Sequence, residues 1–282
     1  MLAWGVWTRH GAAVNQGVLF IDLDGTLVGA SGIHERVWEP LMALRQAGWR
    51  LAVCTGRPGR GVALEVARRL EPEGLHVFES GSAVLDTSGR VVQARTLEPL
   101  SVSAVATFGK VHDVVVEAYT EDGRFLVETR AASLVRAHEE LLGLEASASP
   151  WPPTDRLVRM QWNLPTTRWA ALREVARPVT ARLSAHEGRS PRMPGVSFIS
   201  LTPAGVSKAT GMAVVLAAYG LEFEHAAMVG DNLNDLDALR LSRRRFVPST
   251  GAPEALALAD TIVGSPEEGG VADAALALQN EK

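Results

Sequence analysis

Apolar residues run unbroken from Val18 to Ile21 and predict a strand over Val18–Leu23. Helical spacing then runs from His34 to Gln46 and stops at Gly48, and a second apolar strand covers Trp49–Cys54. A helix over Arg60–Leu70 and a short strand at Leu75–Phe78 follow. Strands apolar on both faces, alternating with helices, predict parallel βαβ units.

The middle of the chain has another rhythm. Ala83–Asp86 and Val91–Ala94 flank the turn sequence Thr87-Ser88-Gly89-Arg90, and Val114–Tyr119 and Phe125–Thr129 flank Glu121-Asp122-Gly123. Both read as hairpins. Leu157–Asn163 and Val179–Ala185 read as strands around a helical Arg168–Ala176, and Pro150, Pro152, Pro153, Pro191 and Pro194 punctuate the segment. Hairpins with a few helices predict an antiparallel sheet covered by helices. From about residue 200 the parallel pattern returns. Ser207 caps a helix to Tyr219 closed by Gly220, Ala226–Val229 is a strand, and Asn234–Leu241 is a helix. Phe246–Val247, a helix over Ala252–Ala259 and a strand at Thr261–Val263 complete the pattern. The expected fold is α/β: a Rossmann-like parallel-sheet core over 17–83 and 195–282, interrupted by an α+β domain over 84–194, with 1–16 as an N-terminal tail.

Four polar clusters fall at strand or helix ends, where open parallel sheets bind ligands. They are Asp22-Leu23-Asp24-Gly25-Thr26, Thr55-Gly56-Arg57, Lys208 after Ala204-Gly205, and Gly230-Asp231-Asn232-Leu233-Asn234-Asp235. Each alone has an ordinary reading: a turn, a strand-end loop, a solvated lysine, an acidic helix start. Their joint order points to chemistry. Asp22, Asp24, Asp231 and Asp235 would crowd negative charge into one crevice and resist joint ionisation unless a cation enters. Oxygen ligands select a hard ion, with Mg²⁺ the usual one beside phosphate. A carboxylate can also act as a covalent nucleophile, and Thr55, Gly56 and Lys208 supply donors and charge suited to a phosphoryl group in transfer.

These residues resemble the haloacid dehalogenase-like phosphatase superfamily. Asp22-Leu23-Asp24-Gly25-Thr26-Leu27 is similar to its first motif, Thr55-Gly56-Arg57 to its second, Gly205-Val206-Ser207-Lys208 to its third and Gly230 to Asp235 to its fourth. The placement of the insertion resembles the Cof-like subfamily, as does the end of the chain from Ala255 to Gly270-Val271-Ala272. The resemblance implies that Asp22 is nucleophile and Mg²⁺ ligand, and that Asp24 is the proton shuttle, its backbone carbonyl touching the metal. Thr55, Gly56, Lys208 and Asn234 would hold phosphate. Asp231 would bind the metal directly and Asp235 would support it from the first or second shell. Glu79-Ser80-Gly81-Ser82-Ala83 departs from the Asn-Gly-Ala common in the family, and the Asn-Ala pair usual near Thr250-Gly251 is missing.

The implied activity is hydrolysis of phosphomonoesters of small metabolites, sugar phosphates or glycosyl phosphates first. A phosphosugar mutase and a non-enzymatic phospho-receiver are the rival readings. The insertion would be a cap that closes over the crevice and reads the substrate. Arg130, Arg159, Gln161 and His186 are its polar candidates, and Trp151 and Trp162 its candidates for stacking on a sugar.

Composition narrows the partners. With 28 Lys+Arg against 32 Asp+Glu the net charge is -4, and no basic stripe suits a nucleic-acid backbone. Cys54 is the only cysteine, which excludes an intrachain disulfide and fits a reducing compartment. The first 16 residues lack the basic start of a signal peptide, and no membrane span is evident. The expected location is the cytoplasm. Cys54 reads as a buried strand residue, and none of the seven histidines has metal-ligand spacing or an expected catalytic role. The sequence carries no signal of oligomeric state.

Overall fold

A computed structural model describes residues 16–281. The expectation for the N-terminal tail therefore lies outside the described residues, apart from Gln16.

Five parallel strands form the core sheet, in the order Thr261–Val263, Arg244–Pro248, Ala226–Val229, Gly17–Ile21, Trp49–Val53. Gly17–Ile21 is central, and all five of its residues are buried. Its period-2 alternation sends Leu19 and Ile21 to one face, against helices Trp38–Gln46, Gly61–Leu70 and Val271–Gln279. Val18 and Phe20 go to the other, against helices Lys208–Ala218 and Leu236–Leu241. A strand covered on both sides must be apolar throughout, and that explains the uninterrupted run in the sequence.

Beyond Trp49–Val53, a parallel bridge between Cys54 and Val77 continues the sheet into Leu75–Phe78. Ala83–Asp86 and Val91–Ala94 add to it in antiparallel order. The hairpin expected to open the insertion at residue 84 thus belongs to the core by sheet membership. The opposite correction applies at the other boundary. Val196–Pro203, expected in the core, pairs antiparallel with both Leu157–Pro165 and Leu183–Gly188. By these pairings the insertion runs over 95–203.

The insertion's six-stranded sheet has the order Ser147–Ala148, Phe125–Val127, Val115–Thr120, Leu157–Pro165, Val196–Pro203, Leu183–Gly188. Helices Pro99–Val111 and Thr166–Thr180 cover one face. The first of these, and helix Ser133–Leu142, were not foreseen from the sequence. Thr166–Thr180 also consumes the start of the strand expected at Val179–Ala185. Met160, Trp162 and Leu164 enter the cap core, while the alternate positions Arg159, Gln161 and Asn163 carry buried polar side chains. Trp162 stacks on Phe108 at 4.4 Å and donates Nε1–H to the Val105 carbonyl at 3.2 Å. Trp151 packs against the same cluster. Both tryptophans therefore build the cap instead of stacking on a ligand. No described helix is long and apolar enough to cross a membrane.

The turn after Leu75–Phe78 fastens the core strand to the helix bearing Lys208. Gly81 has φ +98°, and a Cβ there would stand 1.9 Å from the Ser207 carbonyl oxygen. Gly81→Ala is expected to destabilise the protein by about 2 kcal/mol or more, from left-handed strain plus the clash. The urea midpoint measures it, and an unchanged midpoint would remove the structural role assigned to this turn.

Candidate active site

The polar clusters gather at the carboxyl ends of three adjacent parallel strands. Asp22 follows the central strand, and its N–H donates to the Val229 carbonyl at 3.0 Å. Thr55 follows Trp49–Val53, and Asp231 follows Ala226–Val229. Lys208 begins its helix directly after Ser207, whose side chain and that of Thr210 form a capping box.

Lys208 is 1% exposed. Its Nζ donates to Asp22 Oδ1 and Asp235 Oδ1, each at 2.6 Å. Asp235 Oδ2 accepts the N–H groups of Asp231 at 3.2 Å and Asn232 at 3.0 Å. Both oxygens of Asp235 are thereby engaged, which suits it to support the acidic loop and Lys208. Thr26 Oγ1 donates to Asp231 Oδ1 at 3.0 Å. Gly25, at φ +83°, lets this loop approach: a Cβ there would lie 2.4 Å from Asp231 Oδ2.

One oxygen from each of Asp22, Asp231 and Asp235 lies within 4.8 Å of the others. Burial pushes the Asp22 carboxyl up to about 7, with Asp235 adding to the rise and Lys208 opposing it. Burial, followed by Asp22 and Asp235, drives Asp231 well above the carboxylate range. Burial opposes the charge on Lys208, yet Asp22 and Asp235 hold its pKa above the ordinary value. One ammonium does not offset three close carboxyl groups, so they resist joint ionisation. An all-oxygen set in that state fits a hard divalent cation of the Mg²⁺ type.

Asp24 has a different environment. Its carboxylate accepts Arg57 Nε–H at 2.7 Å, Arg57 Nη2–H at 2.8 Å and Ser190 Oγ–H at 2.8 Å. Burial alone would raise its pKa, but the paired guanidinium and Ser190 hold it below the usual value. Arg57 also donates to the Leu141 carbonyl at 3.1 Å. Ser190 and Leu141 belong to the cap, so Asp24 is clasped from both domains.

The cleft brings together Asp22, Asp24, Thr55, Gly56 and Asn234 from the core. Among the described residues no protein acceptor takes the N–H groups of Leu23, Asp24 or Gly56, and Asn234 Oδ1 is buried without a donor. The three free N–H groups, at the end of a parallel sheet, are suited to an anion's oxygens. From the cap, Arg159, Gln161 and His186 line the cleft. Arg130 does not: it is 45% exposed and pairs with Glu139 at 2.8 Å. The departure at Glu79-Ser80-Gly81 sits here too. Glu79 and Ser80 adopt φ +52° and +57°, backbone that costs a non-glycine residue on the order of 1–3 kcal/mol. Ser80 Oγ lies 3.0 Å from Ser200 Oγ, and Glu79 Oε2 accepts Arg159 Nε–H at 2.6 Å, so the turn docks the cap.

Sequence reasoning missed the parts of Arg57, Glu79, His138 and Ser190. Arg57 stood within a recognised cluster and could have been found there. Nothing local marks the other three. Cys54 is buried, and burial pushes its thiol up, in keeping with a strand residue.

Comparison with known proteins agrees with this geometry. The family model for haloacid dehalogenase-like hydrolases matches residues 19–167 and 173–274. A Bacillus subtilis protein named 5-amino-6-(5-phospho-D-ribitylamino)uracil phosphatase YwtE is 23% identical over 281 residues, covering 89% of this chain and 94% of the relative. An Arabidopsis thaliana protein named Endoribonuclease YBEY, chloroplastic, is 24% identical over 268 residues. That match covers 91% of this chain but only 45% of the relative, so the chain spans under half of that protein's length. Among solved structures, the HAD subclass IIB sugar phosphatase BT4131 superposes with a TM-score of 0.79 at 19% identity, covering 93% of this chain and 99% of that one. With four site clusters converging at the ends of a parallel sheet and a family match over most of its length, this chain belongs to the haloacid dehalogenase-like hydrolase family.

Proposed function

We propose that the protein is a Mg²⁺-dependent phosphomonoester hydrolase of small phosphorylated metabolites, sugar phosphates first, working through an aspartyl-phosphate on Asp22. The observation that carries this reading is the position of Asp22. One of its oxygens is held by Lys208 at 2.6 Å, while Oδ2 has no protein partner among the described residues. That oxygen is available to attack phosphorus beside the free N–H groups of Leu23, Asp24 and Gly56. The names of the Bacillus relative and of BT4131 support a phosphatase, and the second supports a sugar phosphate substrate. A cytoplasmic location belongs to the same reading, since the substrates would be intracellular metabolites.

The chain's own groups divide the work. Asp22 Oδ2 forms a bond to phosphorus as the bond from phosphorus to the ester oxygen breaks, and Asp24 gives its proton to that departing oxygen. Asp24 then takes a proton from water, the water oxygen bonds to phosphorus, and the acyl phosphate bond to Asp22 breaks to release phosphate. Arg57 and Ser190 keep Asp24 ionised as described, the form the second half needs. A phosphate dianion arriving beside it raises its proton affinity, as like charges do, and prepares the first half. Thr55, Lys208 and Asn234 orient the phosphoryl oxygens. Asp22, Asp231, the Asp24 backbone carbonyl and, in support, Asp235 would hold Mg²⁺. When bound, the ion supplies charge neutralisation on the phosphoryl group. A proton shuttle two residues from the nucleophile favours turnover over the stable phosphorylation of a receiver.

Asp22→Asn is expected to lower phosphate release more than about 10³-fold with an unchanged circular dichroism spectrum. Substantial turnover by freshly purified variant would exclude the covalent route. Hydrolysis is expected to vanish in EDTA and return with Mg²⁺; full activity in chelator would refute the metal assignment. Arg57→Gln removes the cation that holds Asp24 below its usual pKa, leaving burial to raise it. Because the base is active only above its pKa, the low-pH limb of the rate profile should move to higher pH. A limb that stays in place or moves down contradicts the clasp.

A further inference from the structure

The cap face of the cleft is a chain of buried polar groups that phosphoryl transfer does not use. Arg159 is 2% exposed; its Nε–H goes to Glu79, its Nη1–H to Gln161 Oε1, and its guanidinium lies 3.9 Å from the Tyr119 ring centre. Its Nη2 takes no protein acceptor among the described residues. His138 also lines the cleft and is 4% exposed. Its Nδ1 is 2.7 Å from Glu117 Oε2, and its ring packs between Phe125 and Phe198, which leaves Nε2 without a protein partner. Glu117 is fully buried and is itself fixed by Tyr119 Oη–H at 2.8 Å and Gln161 Nε2–H at 3.2 Å.

Two features make this more than packing. Glu79 occupies left-handed backbone at φ +52°, a conformation retained only where the surroundings hold it, and its carboxylate is spent on Arg159. Moreover, the arginines facing the cleft are already matched with acids, Arg57 with Asp24, Arg159 with Glu79 and Arg189 with Glu187, and Glu117 stands behind His138. A second anionic group on a substrate would find these cations neutralised and would meet the acids as well. A neutral hydroxyl, able to donate and accept, matches the free Nη2 and Nε2.

We propose that Arg159 Nη2 and His138 Nε2 form the subsite for the leaving group, and that it selects a neutral polyhydroxylated group over one carrying a second negative charge. Glu79 and Glu117 are positioning residues: Glu79 aims Arg159 and cancels its charge, and Glu117 holds Nδ1 so that the His138 ring keeps its orientation. This rests on the phosphatase reading and adds which phosphate esters are taken.

The test compares kcat/KM, with Mg²⁺, for glucose 6-phosphate, fructose 1,6-bisphosphate and p-nitrophenyl phosphate. The wild type should favour the monophosphate over the bisphosphate at least about tenfold, as expected when a buried charge is left unmatched. His138→Ala should lower the ratio of glucose 6-phosphate to p-nitrophenyl phosphate about tenfold, the scale of one lost hydrogen bond. Glu79→Gln keeps a hydrogen-bond acceptor for Arg159 but unmasks its charge, so the bisphosphate to monophosphate ratio should rise several-fold, a gain that damaged folding does not produce. Equal use of the two sugar phosphates by the wild type, or variant ratios that do not move, overturns the subsite; equal losses on all three substrates count as unmoved ratios. A wild type active on p-nitrophenyl phosphate with unmoved ratios refutes the subsite alone. A wild type inactive on all three refutes the phosphatase reading, and the subsite falls with it.

Discussion

Lys208 carries its charge in a place where water does not reach, and the two carboxylates at 2.6 Å are what make that possible. A buried ammonium without partners would give up its proton, and a buried carboxylate pair without a cation would take one up. The arrangement is therefore mutual. Asp22 comes from the central strand, Lys208 from the start of a helix some 186 residues later, and Asp235 from the loop after a third element. Asp235 then binds the two backbone N–H groups that shape the loop holding Asp231. One charge cluster thus sets the spacing of three chain segments. Its carboxyl groups resist joint ionisation, which is the electrostatic basis for the proposed divalent cation beside it.

A second set of contacts joins the two domains over this cluster. Arg57 and Ser190 meet on Asp24, Arg159 meets Glu79, and Ser80 meets Ser200. Each joins a core loop to the cap at the rim of the site. These contacts fix Asp24, so cap docking and the proposed chemistry share the same side chains. Since Glu79 and Ser80 adopt left-handed backbone, the turn that receives the cap is shaped by tertiary contact and not by local preference.

The core strands and the four site clusters were legible in the sequence because their signals are local. Val18 to Ile21 is apolar throughout, and Asp22, Asp24, Thr55, Lys208 and Asp231 each stand next to a strand or helix end. The boundaries of the insertion were not legible in the same way. Val91–Ala94 and Val196–Pro203 have the pattern of strands, but the sheet a strand joins is decided by its hydrogen-bond partners, which lie far away in sequence. Whether Trp162 and Arg130 reach the cleft was not legible for a related reason: the side of an element that faces the cleft depends on register and docking.

The sequence by itself determined that acids, a threonine and a lysine end the strands and begin the helix of a parallel α/β core, and through these the family and the chemistry it implies. Apolar periodicity and turn residues act over a few positions, so they survive in one dimension. Only the tertiary structure decided that Arg57 restrains Asp24, that Glu79 neutralises Arg159, and that His138 reaches the cleft backed by Glu117. Those are pairings between polar groups 33, 80 and 21 residues apart. Electrostatic attraction at that separation along the chain leaves no local pattern; it exists only once packing has brought the groups together in a place with little water.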